Sequence, residues 1–202
     1  MRLTRTLHVT ASHYPGLPGG DSDFGSTPTL YHASGCPPQL AVGSKYGQFF
    51  VYDRNKIGNG PVQRLLLGGD GAGLRALLGN AAYWPARRLL YVTNPETRGA
   101  YGAGMLAFRV NSKCRLKLAW HGAGSSGIAS SPTVANGVVY YGAGYTDRLI
   151  AFDAASGKRL WTGSLDGHVV NAPSVVGGAV YSGDWGGHLH KFALPGSVRA
   201  YL

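Results

Sequence analysis

Acidic side chains are scarce in this chain of 202 residues: Asp and Glu number 9 against 19 Lys and Arg, and Glu96 is the single glutamate. The formal net charge is +10. Long apolar runs are missing as well. No stretch reaches the ~20 residues that span a bilayer as a helix. Arg2 and Arg5 are followed by no apolar segment, so neither a membrane span nor a signal peptide is expected within this sequence. Cysteine is nearly absent. Cys36 and Cys114 are neither adjacent nor at metal-ligand spacing, and they read as two buried thiols rather than a bridge. No Cys-x-x-Cys-His motif occurs, so no fused cytochrome of that type is present. Runs of helix formers are lacking, with one short candidate at Gly73 to Leu78. Ser125-Ser126 and Ser130-Ser131 lack the Gly-x-Ser-x-Gly setting of a hydrolase nucleophile. The glycine-rich run Gly68 to Gly73 lacks the Gly-Lys-Ser of a phosphate cradle and reads as a linker.

An excess of cations raises the question of a nucleic-acid partner. The basic residues are scattered along the sequence, however. Their densest run, Lys113 to Lys117, alternates like the solvent face of a strand. The expectation is a solvated basic surface that suits an acidic ligand, with no nucleic acid.

What the chain has in abundance is glycine, proline and tyrosine, at 32, 11 and 12 residues. They belong to a repeated pattern, clearest from Ser131 to Trp161. A short strand at Ser131 to Val134 meets a tight turn at Asn136-Gly137, and Val138 to Tyr141 is β-branched and aromatic. A glycine-rich loop leads to Leu149 to Phe152, a turn from Asp153 to Gly157, and an outer strand opening at Lys158 to Trp161. Four short antiparallel strands in about 40 residues make one blade of a β-propeller. Copies follow at Ala172 to Tyr181 with Leu189 to Phe192, and precede at Thr27 to Leu30 with Gln39 to Gly43 and Phe49 to Asp53. Another set comprises Asn80 to Tyr83, Leu89 to Thr93 and Met105 to Phe108, closed by Trp120. The fold class is therefore all-β, a propeller of four-stranded antiparallel blades, four of them, starting near residues 27, 80, 131 and 172. Residues 1–202 are read as a single partial propeller domain with an irregular lead-in over 1–20.

Several details follow. Leu149, Ala151, Val139 and Tyr141 should be buried, and Trp161 and Trp120 should each pack between a blade and its neighbour. Leu3 to Val9 alternates like a strand. Asp21-Ser22-Asp23 reads first as a turn in which Asp side chains accept backbone N–H groups. His188 and His190 alternate, so both imidazoles share one face and could ligate a metal. The sequence puts no third ligand beside them, and no metal site is expected.

Asp21 to Leu30 (DSDFGSTPTL) followed by Ala41 to Arg54 (AVGSKYGQFFVYDR) resembles the quinoprotein alcohol dehydrogenases and the polyvinyl-alcohol-dehydrogenase-like proteins. Gly79-Asn80, Ala151-Phe152-Asp153 with Gly157-Lys158 and Trp161, and Gly183 to Gly187 extend the likeness over residues 21 to 195. The resemblance implies pyrroloquinoline quinone as cofactor, calcium beside it and a small-molecule alcohol as substrate. Asp23 would take the substrate hydroxyl proton and Lys45 would donate to the quinone oxygens. Asn80 would touch the cofactor's polar edge, and Trp185 would line its pocket. Such a division suits the chemistry, which needs a base for the proton and a polarised acceptor for the hydride.

Departures are also plain. Ser22 stands where the family has Trp, Tyr46 where it has Asn, and the vicinal cysteine pair is missing. The earlier blades that supply most calcium ligands are absent from this chain. The expected function is thus the C-terminal half of a quinone-dependent alcohol dehydrogenase-like propeller, inactive alone. The alternative is a non-catalytic propeller of the same repeat class that binds another protein. The resemblance implies a periplasmic or other extracytoplasmic location, and the open blade faces imply self-association.

Overall fold

A computed structural model describes residues 2–17, 22–69, 71, 75–124, 127 and 130–193. Four antiparallel sheets succeed one another along the chain, each a meander with its strands in sequence order. The first comprises β3 (Thr29–Tyr31), β4 (Gln39–Gly43), β5 (Gln48–Asp53) and β6 (Gln63–Leu66). The second comprises β7 (Ala82–Trp84), β8 (Leu89–Asn94), β9 (Gly104–Val110) and β10 (Leu116–Ala123). The third comprises β11 (Thr133–Ala135), β12 (Val138–Gly142), β13 (Arg148–Asp153) and β14 (Arg159–Ser164). Among the described residues the fourth has three strands, β15 (Ser174–Val176), β16 (Ala179–Gly183) and β17 (Leu189–Ala193). These are the blades expected near residues 27, 80, 131 and 172.

Local chemistry sets the register. Asn136 and Gly137, at φ 50° and 79°, make the two-residue turn between β11 and β12, and Gly177 and Gly178 do the same between β15 and β16. Where β13 turns into β14, Asp153 Oδ1 accepts from the amides of Ala155 and Ser156 and from the Ser156 hydroxyl. Asp53 and Asn111 hold their own turns alike, through Asn55 N–H and through Lys113 and Arg115 N–H. These Asx turns recur at one place in the repeat because the sheet needs a sharp reversal there.

Each sheet is apolar on both faces, and alternation assigns each residue to a neighbour. Leu89, Tyr91 and Met105 of the second sheet pack against Val139, Tyr141 and Phe152 of the third. Leu149, on the third sheet's other face, packs with Val180 and Phe192 of the fourth. Leu149, Ala151, Val139 and Tyr141 are all buried, as expected. The innermost strands are stitched together: Thr29 Oγ1 donates to Ala81 O, Asn80 N–H to Ser131 Oγ, and Thr133 Oγ1 to Pro173 O. Ser130 and Ser131 are thus tethers; Ser130 Oγ accepts from Gly142 N–H at 2.7 Å.

Both tryptophans lie between sheets. Trp120 closes over Gly157, whose φ of +76° and missing Cβ make room; a Cβ there would come within 2.6 Å of the indole. Trp161 meets Phe192 edge-on with ring centroids 4.9 Å apart.

Several sequence expectations need correction. Cys36 and Cys114 form a disulfide, with Cα atoms 5.6 Å apart and 78 residues between them in sequence. Cys36 sits in the turn after β3 and Cys114 in the turn after β9, and packing of the first two sheets makes these turns neighbours. No sequence spacing reveals such proximity. Leu3 to Val9 is not one strand. β1 (Arg2–Leu3) pairs with β2 (Val9–Ala11) around a turn in which Leu7 has φ 62°. Lys113 to Arg115 form a turn, and only from Leu116 does the run join a strand. Of the short helix candidate, Gly73 and Leu74 lie outside the described residues, Arg75 is in a 3-10 turn, and Ala76 to Leu78 are not helical.

The lead-in is not idle. Leu17 packs on Val42, Phe50 and Tyr52, the first sheet's outer face. His13 Nδ1 lies 3.2 Å from the Tyr52 hydroxyl, and Arg64 donates to Pro15 O while its guanidinium lies 5.0 Å from the Phe50 ring centre. At the opposite end of the row, Val176 and Leu189 are 64% and 78% exposed.

Candidate functional site

Meander topology gives every sheet two ends. One, the hairpin end, carries the turns β3–β4, β5–β6, β7–β8, β9–β10, β11–β12, β13–β14 and β15–β16. The connection end carries the β4–β5, β8–β9, β12–β13 and β16–β17 loops and the crossings from sheet to sheet. Charge divides between them. The hairpin end holds Arg54 and Lys56, Arg87 and Arg88, Lys113 and Arg115, and Lys158 in its turns, with Arg109 and Lys117 at flanking strand ends. Asp53 and Asp153 there are committed to their Asx turns. The remaining described acids, Asp23, Glu96, Asp147, Asp166 and Asp184, lie at the connection end. Many of the cations scattered in sequence are therefore gathered at the hairpin end, while Lys45, Arg75, Arg98 and Arg148 lie with the acids at the connection end.

All four expected site residues lie at the connection end. Asp23 and Lys45 come together: Lys45 Nζ is 2.9 Å from Asp23 Oδ1, and Lys45 N–H donates to Asp23 O at 3.1 Å. The Lys45 side chain is 22% exposed and that of Asp23 67%. Leu77 N–H donates to Lys45 O, so the β4–β5 loop is tied to the crossing that leads to Asn80. Asn80 uses its Oδ1 to accept from Thr27 N–H at 2.7 Å, linking the first two sheets. The space beside Gly25 is closed by Leu78, with the Lys45 stem on the other side. Trp185 belongs to a different place. It packs on Tyr145 and His168, between the third and fourth sheets, and is 58% exposed. The four residues thus fall into two groups, with Asp23, Lys45 and Asn80 around one junction and Trp185 at another.

Two polar constellations escaped the sequence reading. Asn94 is buried where the crossing from the first sheet to the second meets the β8–β9 loop. Its Oδ1 accepts from Gly68 N–H, and its Nδ2 donates to the carbonyls of Glu96, Tyr101 and Gly102. Glu96 accepts from Gly69 N–H through Oε1 and faces Arg75 through Oε2. The chain's one glutamate thus anchors a crossing.

The second constellation surrounds His188 and His190. Asp184 supplies the third ligand-type group that the sequence did not place, and Asp166 a fourth. Asp184 has a fully buried side chain, and its carboxyl is pulled down to about 2. The principal cause is the His188 amide N–H, which donates to Oδ1, opposed by desolvation and aided by His190. Beside this group, His168 Nδ1 lies 2.6 Å from Asp147 Oδ1. A pocket of about 280 Å³ opens between the second and third sheets, lined by Ala123, Gly124, Thr146, Arg148, Ile150 and Arg159.

Residues 103–196 match a pyrroloquinoline-quinone-repeat family model described as outer membrane protein assembly factor BamB. No curated protein sequence matches the chain. Solved structures agree on fold. The computationally designed Ika4 protein is 13% identical, with a TM-score of 0.57 over 89% of this chain and 96% of its own. BamB from Moraxella catarrhalis is 17% identical, with a TM-score of 0.57 over 83% of this chain and 45% of its own. A europium-containing methanol dehydrogenase is 20% identical, with a TM-score of 0.58 over 80% of this chain and 40% of its own. The chain therefore spans less than half the length of either of the last two. Sheet order, inter-sheet tryptophans and the solved structures converge on a β-propeller fold, and residues 103–196 are similar to the pyrroloquinoline-quinone-type repeat.

Proposed function

We propose that the chain is a non-catalytic propeller scaffold that meets an acidic partner protein through its basic hairpin end. The observation that carries this reading is the segregation of charge. Arginines and lysines from the turns of three sheets line one end, and the two aspartates there are committed to backbone amides. A surface of one sign raises association rates and selects partners of opposite sign. The family match to an assembly factor supports the same reading. The Cys36–Cys114 bridge supports an extracytoplasmic location, because disulfides persist in oxidising compartments.

A labelled poly-glutamate peptide tests it. Binding should weaken steeply with salt, and replacing Lys113, Arg115 and Lys117 together by Glu should lower affinity at least tenfold. Unchanged affinity in that variant rejects the proposal, as does tighter binding of a DNA duplex carrying the same number of charges.

The pairing of Asp23 with Lys45 favours a second reading, in which the chain is part of a quinone-dependent alcohol dehydrogenase. In it the Asp23 carboxylate would take the hydroxyl proton, and Lys45 would donate to the quinone oxygens. The cofactor supplies the hydride acceptor. Completing the site requires residues from outside this chain. Titration with pyrroloquinoline quinone and calcium separates the readings. A saturable change in quinone absorbance that Lys45→Ala abolishes supports the dehydrogenase and counts against the scaffold.

A further inference from the structure

We propose that Asp166, Asp184, His188 and His190 form a binding site for a divalent transition-metal ion of the zinc class, where the third sheet's outgoing connection meets the β16–β17 loop. One ligand atom from each of the four residues lies within 4.8 Å of all the others. His190 Nε2 is 2.7 Å from Asp184 Oδ2 and 3.9 Å from Asp166 Oδ2, and His188 Nδ1 is 3.4 Å from Asp184 Oδ1. A tetrahedral ion with bonds of about 2.0–2.1 Å holds its ligand atoms about 3.3–3.4 Å apart. The cluster thus closes around an ion with sub-ångström to ångström adjustments of side chains.

The donor set selects the ion. Two imidazoles and two carboxylates suit zinc and its neighbours, whereas calcium takes six to eight oxygens. The two carboxylate charges match a divalent cation, which leaves the occupied site neutral. The framework is already ordered. Asp184 is fully enclosed and fixed by the His188 amide, and His190 is held by its stacking on Phe192, with ring planes 14° apart. Gly186 permits the loop to wrap this tightly, since a Cβ there would come within 2.9 Å of His188 Nδ1 and 3.1 Å of Asp184 Oδ1. His188 and Asp166, with side chains 58% and 72% exposed, leave the mouth open to solvent. An ion entering here would clamp the fourth sheet to the third. The site is independent of both readings of function, because it uses neither the basic end nor Asp23 and Lys45.

Calorimetric titration of chelator-treated protein with zinc chloride tests the proposal. One saturable site is expected, with a rise in melting temperature on zinc and none on calcium. Asp166→Asn, at an exposed position that leaves the fold intact, should weaken zinc at least tenfold, and His190→Gln should do so more strongly. No saturable binding overturns the site. So does equal zinc affinity in the parent, Asp166→Asn and His190→Gln, which would place the ion on other surface histidines.

Discussion

Trp120 reaches out of the second sheet to donate its indole N–H to the carbonyl oxygen of Ala154 in the third, 3.1 Å away. The Tyr91 hydroxyl donates to the same oxygen at 2.9 Å, so two aromatic residues of one blade are pinned to a single turn of the next. Replacing Trp120 by Ala should cost about 3–5 kcal/mol. Trp120→Phe, which keeps most of the packing, should cost about 1–2 kcal/mol for the lost hydrogen bond and volume. Chemical denaturation measures both. An unchanged stability in Trp120→Ala would mean that this contact does not join the blades.

Reduction of the Cys36–Cys114 bridge frees a closed loop of about 80 residues. Such a crosslink is worth about 2–4 kcal/mol, and a domain of this size loses about 2–4 °C of Tm per kcal/mol. Scanning with and without reductant should therefore separate two melting curves. A Cys36→Ser, Cys114→Ser variant should melt like the reduced protein and be insensitive to reductant.

Asp153 has its pKa lowered, first by the Ser156 hydroxyl and then by backbone amides. A carboxyl depressed in the folded state contributes stability that is present above its unfolded value of about 3.9. The contribution is lost as pH falls through the lower, folded value. Asp153→Ala should cost about 1 kcal/mol at pH 7, and the gap to the parent should narrow below pH 4. A gap that stays constant to pH 2 would show that the charge on Asp153 is not what holds the turn.

The Asp23–Lys45 pair is open to solvent on the carboxylate side, so as an ion pair alone it is worth about 0–1 kcal/mol. A double-mutant cycle with Asp23→Asn and Lys45→Ala should give a coupling in that range. Poly-glutamate binding at the hairpin end should not change in either variant. A coupling well above that range would show that the pair is held by more than a surface attraction.

Val176 and Leu189 leave apolar surface on the last sheet's outer face, whereas the first sheet's outer face is covered by Leu17. We propose that this face drives self-association, as uncovered sheet faces do. Light scattering should show mass rising with concentration, and Leu189→Lys should reduce it. A parent that stays monomeric over a hundredfold concentration range overturns this proposal.

Much of the architecture is legible in the sequence. Asn136-Gly137, the aromatic run Val138 to Tyr141 and the recurring Asp153 turn encode strand, reversal and register locally, because alternation and turn chemistry act between near neighbours in sequence. Repetition of that unit at residues 27, 80, 131 and 172 then determined the propeller, since a sheet apolar on both faces needs another on each side. Pairing of Asp23 with Lys45 was within reach for the same reason, as both belong to one blade. Tertiary structure alone decided the rest. It joined Cys36 to Cys114, gathered cations from several turns at one end, spent Asn80 on Thr27, and set Asp166 beside Asp184, His188 and His190. Each of those contacts crosses between loops or blades whose separation in space depends on how the sheets stack, and nothing in the local pattern of residues records it.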